Sequence, residues 1–211
     1  MVGQSIDPRR LRHDARSPLA AIRMAASALR GDLGAVGPAE RAELLRTVEL
    51  AAEELDRLVT NLCDLDDLLS GAVSANPTPV AIDWLVAEAL RTLTVASEAA
   101  PIEVELGDAE LVRCDGDLTA RGLANCCFVA IERQGGFGPV KVSATAAATE
   151  VLVEIRGTDA TSVWLPHRAV LADETASAAF SAQGLAFESA GLEGPTRYLL
   201  TLPAVSGEVP R

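Results

Sequence analysis

Apolar residues recur at steps of three and four along the first third of the chain. Leu11, Ala15, Leu19, Ile22, Ala26 and Leu29 mark one run between Asp7 and Arg30; Leu44, Val48, Ala51, Leu55, Leu58, Leu62, Leu65 and Leu69 mark a second, longer one. This is the period of amphipathic helices, each with one buried stripe. Between them GDLGAVGPAE breaks the pattern, with Gly31, Gly34 and Gly37 ending the first helix and Pro38 opening the second. The reading is an all-α hairpin of two long antiparallel helices. Alone it would leave a strip of leucine facing water, and the same hairpin from a second chain would close a dimeric four-helix bundle over that strip. At roughly 25 cal/mol per Å² of apolar area buried, such a seam favours a homodimer. Packing of the hairpin on the rest of its own chain is the competing arrangement.

From Ser74 to Ile82 the stretch SANPTPVAI is punctuated by Pro and Asn and reads as a linker. Beyond it, Asp83 can cap a helix through about Ser97. Short strands follow at Pro101 to Leu106 and Ala109 to Arg113, and a helix over DLTARGLANCCFVAIERQG ends at Gly135. Val140 to Thr145 and Glu150 to Gly157 make a hairpin around an Ala-rich turn. A helix from about His167 to Gln183 precedes two last strands, GLAFESA and TRYLLTLP. This order predicts an α/β sandwich, a mixed sheet with helices on one face. The domains expected are therefore a helical hairpin over 1–73, a linker over 74–82 and the sandwich over 83–211.

The composition narrows the setting. Half the 211 residues are apolar but only 3% are aromatic, so the core is built from Leu, Val, Ile and Ala. A formal charge of −12 argues against a nucleic-acid partner. No run is long and apolar enough for a membrane span, and MVGQSIDPRR carries no secretory signal, which points to a cytoplasmic protein. Cys63, Cys114, Cys126 and Cys127 match neither a metal-ligand spacing nor a CxxC pair and are expected as reduced, buried thiols.

One of only two histidines stands near the start of the first helix, in LRHDARSPL. His13 lies off the centre of the buried stripe and should reach solvent, with Arg16 and Ser17 one turn further on. Pro18 has no N–H, so the Asp14 carbonyl loses its regular helical partner and the helix should bend there. A solvent-facing neutral imidazole is a competent nucleophile, and a neighbouring carboxylate can take its proton or fix its tautomer. An ordinary exposed histidine is the alternative reading. His167, beside Arg168 at a helix start, reads as a capping or surface residue. Trp84 reads as a pin between linker and sandwich, and Trp164 as either a core plug or a partner anchor.

His13-Asp14-Ala15-Arg16-Ser17-Pro18-Leu19 resembles the phosphoacceptor box of the sensor histidine kinases. The leucine-rich second helix, ending in RLVTNLCDLDDLLSG, is similar to that family's second dimerisation helix, nearest the potassium-responsive branch. The resemblance implies that His13 carries a phosphoryl group, Asp14 acts as the acid-base residue, and Ser17 holds the position that orients water in dephosphorylation of a partner. The sandwich resembles the same family's ATP-binding domain down to its closing hairpin, Gly184 to Pro203. Against that pattern, Asn125 matches the first asparagine of the family's Asn-rich helix, but Val129 stands where a second should help to hold Mg²⁺. RGTDATSVWL has no glycine after Asp159, where the family expects Asp-x-Gly-x-Gly against the adenine, and no glycine occurs between Thr158 and Gln183.

These departures lead to the expectation of a histidine phosphotransferase or pseudokinase, not an ATP-dependent kinase. His13 would pass a phosphoryl group between the aspartates of response-regulator receiver domains. Asn125 and Asp159 would be vestigial, this chain would bind no cofactor, and Mg²⁺ would be supplied by the receiver. Arg9, Arg10, Arg12 and Arg16 form a basic face for acidic receiver surfaces. The alternatives are a kinase with a divergent ATP site, a receiver phosphatase, or a non-catalytic dimeric adaptor.

Overall fold

The computed structural model describes residues 8–31, 36–93, 100–107, 111–135, 138–158, 166–189 and 195–205, with side chains from residue 11 onward. The chain divides into two units, Met1–Cys63 and Asp64–Arg211. The first is a helical hairpin of α1, Pro8–Leu29, and α2, Pro38–Ser70, whose last turns belong to the second unit. Gly31, at φ +85°, closes α1 with its N–H on the Ala28 carbonyl, and Pro38 opens α2 at a position where a missing N–H costs nothing. Ala51, Leu58 and Leu65 of α2 are buried as the periodicity requires, whereas in α1 the buried alanine is Ala25 and the expected Ala26 is only half-buried. Leu19, Leu62 and Leu69, placed in the same stripes by their spacing, are exposed in the single chain, since two helices cover only part of a wide apolar arc.

The second unit is a mixed α/β domain. Its main sheet joins β2 (Ile102–Leu106), β4 (Val140–Ala147), β5 (Glu150–Arg156), β6 (Ala186–Ser189) and β7 (Arg197–Pro203) in the order β2-β4-β5-β7-β6. Only β2 and β4 run parallel; the other pairs are antiparallel. Strict alternation puts Val151, Val153 and Ile155 of β5 and Tyr198, Leu200 and Leu202 of β7 on the covered face.

A separate two-stranded sheet pairs β1 (Thr78–Ala81) with β3 (Leu111–Cys114), Thr78 opposite Cys114. Part of the stretch expected as linker is therefore a strand. Its proline marks it as an edge, where no ladder N–H is needed from that residue.

The next helix, α3, runs Ile82–Arg91, short of the expected Ser97. Asp83 is not its cap: Ala81 holds that position with no side-chain bond, and Asp83 lies in the first turn, accepting from the Trp84 N–H. The β-branched Thr92 follows Arg91 and turns its hydroxyl back to the Ala89 carbonyl at 2.8 Å. Trp84 is 45% exposed, yet its ring lies so near Gly116 that a Cβ there would come within 3.1 Å of it. It rests on the start of the following helix and only half fills the pinning role expected of it.

Two helices cover the sheet. The first, α4 (Gly116–Arg133), is capped by Asp115, whose carboxylate accepts from the Leu118 N–H at 3.1 Å. The second, α5 (His167–Ser181), starts after Pro166, with His167 as its first residue. They pack closely because Gly122 presents no Cβ to the buried ring of Phe180.

Cys114, Cys126 and Cys127 are buried as expected, whereas Cys63 is exposed. Burial pushes the Cys127 thiol up to about 12 and the Cys126 thiol up as well, so neither is a nucleophile at neutral pH. Among the described residues no helix is long and apolar enough to cross a membrane.

Candidate active site

His13 sits in the second turn of α1 with its side chain 85% exposed, as its place off the stripe requires. Asp14 is its neighbour in sequence but is largely buried, and its Oδ1 lies 3.6 Å from His13 Nδ1. That distance is too long for a hydrogen bond and short enough for charge to act. Arg12, Arg16 and Ser17 are all exposed, with Arg16 and Ser17 one turn beyond His13. Pro18 is buried, and α1 continues through it to Leu29. The side chain of Arg9 lies outside the described residues.

In the second unit, Asn125 and Val129 are both buried on α4, one turn apart. The valine belongs to the apolar core and brings no oxygen to that position. Asp159 and Trp164 lie outside the described residues. Among the described residues, no group of three or more His, Cys, Asp or Glu side chains could hold a metal ion.

Three polar constructions near α4 and α5 were not apparent from the sequence. The Arg168 guanidinium at the start of α5 donates twice to Glu132 Oε2 near the end of α4, at 3.1 and 2.9 Å. The Tyr198 hydroxyl donates to Asp173 Oδ1 at 2.9 Å; burial raises the Asp173 carboxyl above its usual value, opposed by that bond and by the Arg133 charge. The third gathers Gln134, Thr158 and Thr196 around Gly157. Each depends on partners more than twenty residues apart, which spacing does not reveal. The hint available in the sequence is a glycine directly after a strand, at Gly157.

The pattern of the His Kinase A (phospho-acceptor) domain matches residues 9–71. Sensor protein KdpD of Mycobacterium tuberculosis is 32% identical over 149 residues, 68% of this chain, and the chain spans 17% of the length of that relative. Among solved structures, Acinetobacter baumannii histidine kinase AdeS aligns with a TM-score of 0.65 at 16% identity, covering 90% of this chain and 97% of that one. Full-length ShkA in complex with AMPPNP aligns at 0.59 and 17% identity, covering 98% and 48%. Histidine kinase ThkA in complex with response regulator TrrA aligns at 0.53 and 18%, covering 93% and 60%.

At these identities the structural likeness speaks for the fold. Together with the sequence relative, it overturns the expectation of a phosphotransferase that does without ATP. The relatives are sensor proteins and histidine kinases, and one shared fold is in complex with an ATP analogue. Val129 and the missing glycines do not exclude the kinase class, since the domain keeps the sheet and covering helices of that fold.

Proposed function

The chain joins a His Kinase A phospho-acceptor domain to a histidine-kinase-like catalytic fold, and we propose that it is the kinase portion of a sensor histidine kinase with a divergent ATP site. The observation that carries this reading is the exposed His13 with Nδ1 turned toward the Asp14 carboxylate inside the matched phospho-acceptor segment.

In the reaction, His13 Nε2 attacks the γ-phosphorus of ATP. The N–P bond forms as the bond from phosphorus to the β,γ-bridging oxygen breaks, and ADP leaves with that electron pair. Asp14, 3.6 Å from Nδ1, would close on that nitrogen as charge develops, balancing the imidazolium or taking its proton. The Ser17 hydroxyl, one turn on, is within reach of a phosphoryl group carried by His13. Asn125 on α4 would be the side-chain amide to offer an oxygen to a Mg²⁺ ion bound with the nucleotide, which would offset phosphate charge there.

The phosphoryl group then passes to an aspartate of a response-regulator receiver domain, whose own acidic pocket holds Mg²⁺ for that step. The exposed Arg12 and Arg16 face the receiver. The exposed Leu19, Met24, Val59, Leu62 and Leu69 support pairing of two hairpins into a four-helix bundle, with 74–82 leading from the bundle domain to the sandwich.

The test is incubation of the full chain with γ-labelled ATP and Mg²⁺. Acid-labile label should appear on the wild type and be lost in His13→Ala, with the dimer mass by light scattering unchanged in both. No label from ATP in a folded dimer refutes the kinase reading.

A further inference from the structure

The main sheet ends at β2, and among the described residues no strand pairs with its outer side. The Pro101 carbonyl accepts the Val140 N–H at 2.9 Å, and the Gly107 N–H reaches the Ala144 carbonyl at 3.3 Å. Pro101, Glu103, Glu105 and Gly107 thus turn their main chain toward β4. Ile102, Val104 and Leu106, which alternate with them, turn their N–H and C=O groups outward. The side chains alternate as well. Val104 stands beside Val142, a core residue, yet is 42% exposed, while Ile102 and Leu106 on either side of it pack against the core. The helical layer therefore stops short of the middle of this edge. Glu103 and Glu105 project from the opposite, uncovered face, and both are exposed. Glu105 meets Lys141 Nζ at 2.7 Å; among the described residues no cation pairs with Glu103.

Natural sheets protect an edge with lysine, proline, a bulge or a charge turned into the covered side. Ile102–Leu106 carries none of these: it keeps an unbroken register with β4, its inward side chains are apolar, and its two charges share one sign and one face. That arrangement rejects a second copy of itself. Two β2 strands laid antiparallel about Val104 would set Glu103 opposite Glu105 twice, and like charges directly opposite are destabilising. A strand with cations at those two positions and an apolar side chain between them meets no such penalty.

We infer that the outer edge of β2 is a docking site for an extended segment of a partner protein that alternates apolar and basic residues and adds to the sheet antiparallel to β2. Its main chain exchanges hydrogen bonds with Ile102, Val104 and Leu106, and its central apolar side chain covers Val104. Its cations stand opposite Glu103 and Glu105, at the non-hydrogen-bonded positions where cross-strand side chains lie closest. The site uses none of the residues assigned to phosphoryl transfer, so it stands independently of the kinase reading.

The probe is a fluorescein-labelled, capped peptide, Ser-Val-Arg-Val-Arg-Val-Ser, and its binding to the full chain is read by anisotropy. A second peptide has glutamate for both arginines, and a third is the basic peptide N-methylated at its central valine. Wild type should bind the basic peptide at least about tenfold more tightly than the acidic one. Glu103→Lys combined with Glu105→Lys should reverse that preference. Val104→Pro removes an N–H that points away from β4, the position at which a sheet tolerates proline, so far-UV circular dichroism should be unchanged and binding should weaken by about tenfold or more. N-methylation should weaken binding as much; that arm leaves the protein untouched and decides the matter if Val104→Pro unfolds. Binding unchanged by N-methylation, or unchanged in folded Val104→Pro, overturns the inference, because the chain's net charge of −12 would then be attracting the peptide elsewhere. So does equal affinity for the basic and acidic peptides, or no binding of either by wild type. A lower oligomeric mass in folded Val104→Pro, read by light scattering, overturns it too, since the edge would then join copies of this chain.

Discussion

Replacing Gly122 with alanine sets two effects of known size against each other. Alanine in a helix interior is favoured over glycine by about 1 kcal/mol. The new Cβ, however, would lie 2.5 Å from Phe180 Cζ and 2.6 Å from Cε1, closer than nonbonded carbons approach. The ring cannot retreat into solvent: Phe180 is fully buried, and its centroid is 4.8 Å from that of Phe187. Overpacking of this kind costs about 1–3 kcal/mol, and a contact this short belongs at the upper end. Gly122→Ala should therefore lose about 1–2 kcal/mol net. Phe180→Leu removes the atoms in the way and supplies the control, since adding Gly122→Ala to it should then cost nothing or be slightly stabilising. The measurement is urea unfolding of the full chain, followed by far-UV circular dichroism and by the fluorescence of Trp84 and Trp164, both in the α/β unit, with the four proteins arranged as a double-mutant cycle. Gly122→Ala at wild-type stability or above, without coupling to position 180, would show that α4 and α5 do not approach as closely as described.

Tyr198→Phe removes the hydrogen bond that opposes the effect of burial on Asp173. The folded-state pKa of that carboxyl is already raised, so the folded state keeps its proton to higher pH than the unfolded state, and this group's contribution to stability falls as pH rises through the folded value. Losing the tyrosine hydroxyl raises the value further; the variant should cost about 1.5–3 kcal/mol at neutral pH and less toward the ordinary carboxylate range, as read from urea midpoints across pH. Arg121→Ala breaks the pair between Arg121 Nη1 and the Asp64 carboxylate, at 2.7 and 2.8 Å. Because the arginine is 41% exposed, screening limits the loss to about 1 kcal/mol at most, and the loss should shrink in high salt.

The hairpin was legible because one physical rule, the helical period of a buried stripe, acts along the whole of α1 and α2. The sheet strands β4, β5 and β7 were legible for the matching reason of alternation. What sequence missed was decided by tertiary contact. Thr78–Ala81 becomes a strand only because Leu111–Cys114 lies beside it, and a proline-containing stretch of four residues has no signal of its own. Asp83 is a good cap by residue type, but the backbone enters α3 one residue too early for it to serve. The reading of His13 came from the resemblance of His13–Leu19 to a family box, because residues adjacent in sequence point about 100° apart on a helix and adjacency alone decides little. Gln134 and Thr196 were missed because 62 positions separate them and only the folding of β5 and β7 onto α4 brings them to the same glycine.

The same distinction explains why the nucleotide chemistry was misjudged. Val129 removes one candidate oxygen from the neighbourhood of a metal ion, and on a dedicated all-protein cage that loss would be decisive. Mg²⁺ bound with a nucleotide is not held that way: phosphate oxygens and water fill most of its octahedron, and the protein adds one or two ligands. A substitution at one such ligand lowers affinity or rate and leaves the reaction class intact. The missing glycines act similarly, since glycine permits one way of approaching phosphates, through backbone N–H groups, while guanidinium groups and helix N-termini offer others. On the kinase reading proposed above, a site altered at several points on the same scaffold is expected to change its nucleotide affinity before it gives up phosphoryl transfer.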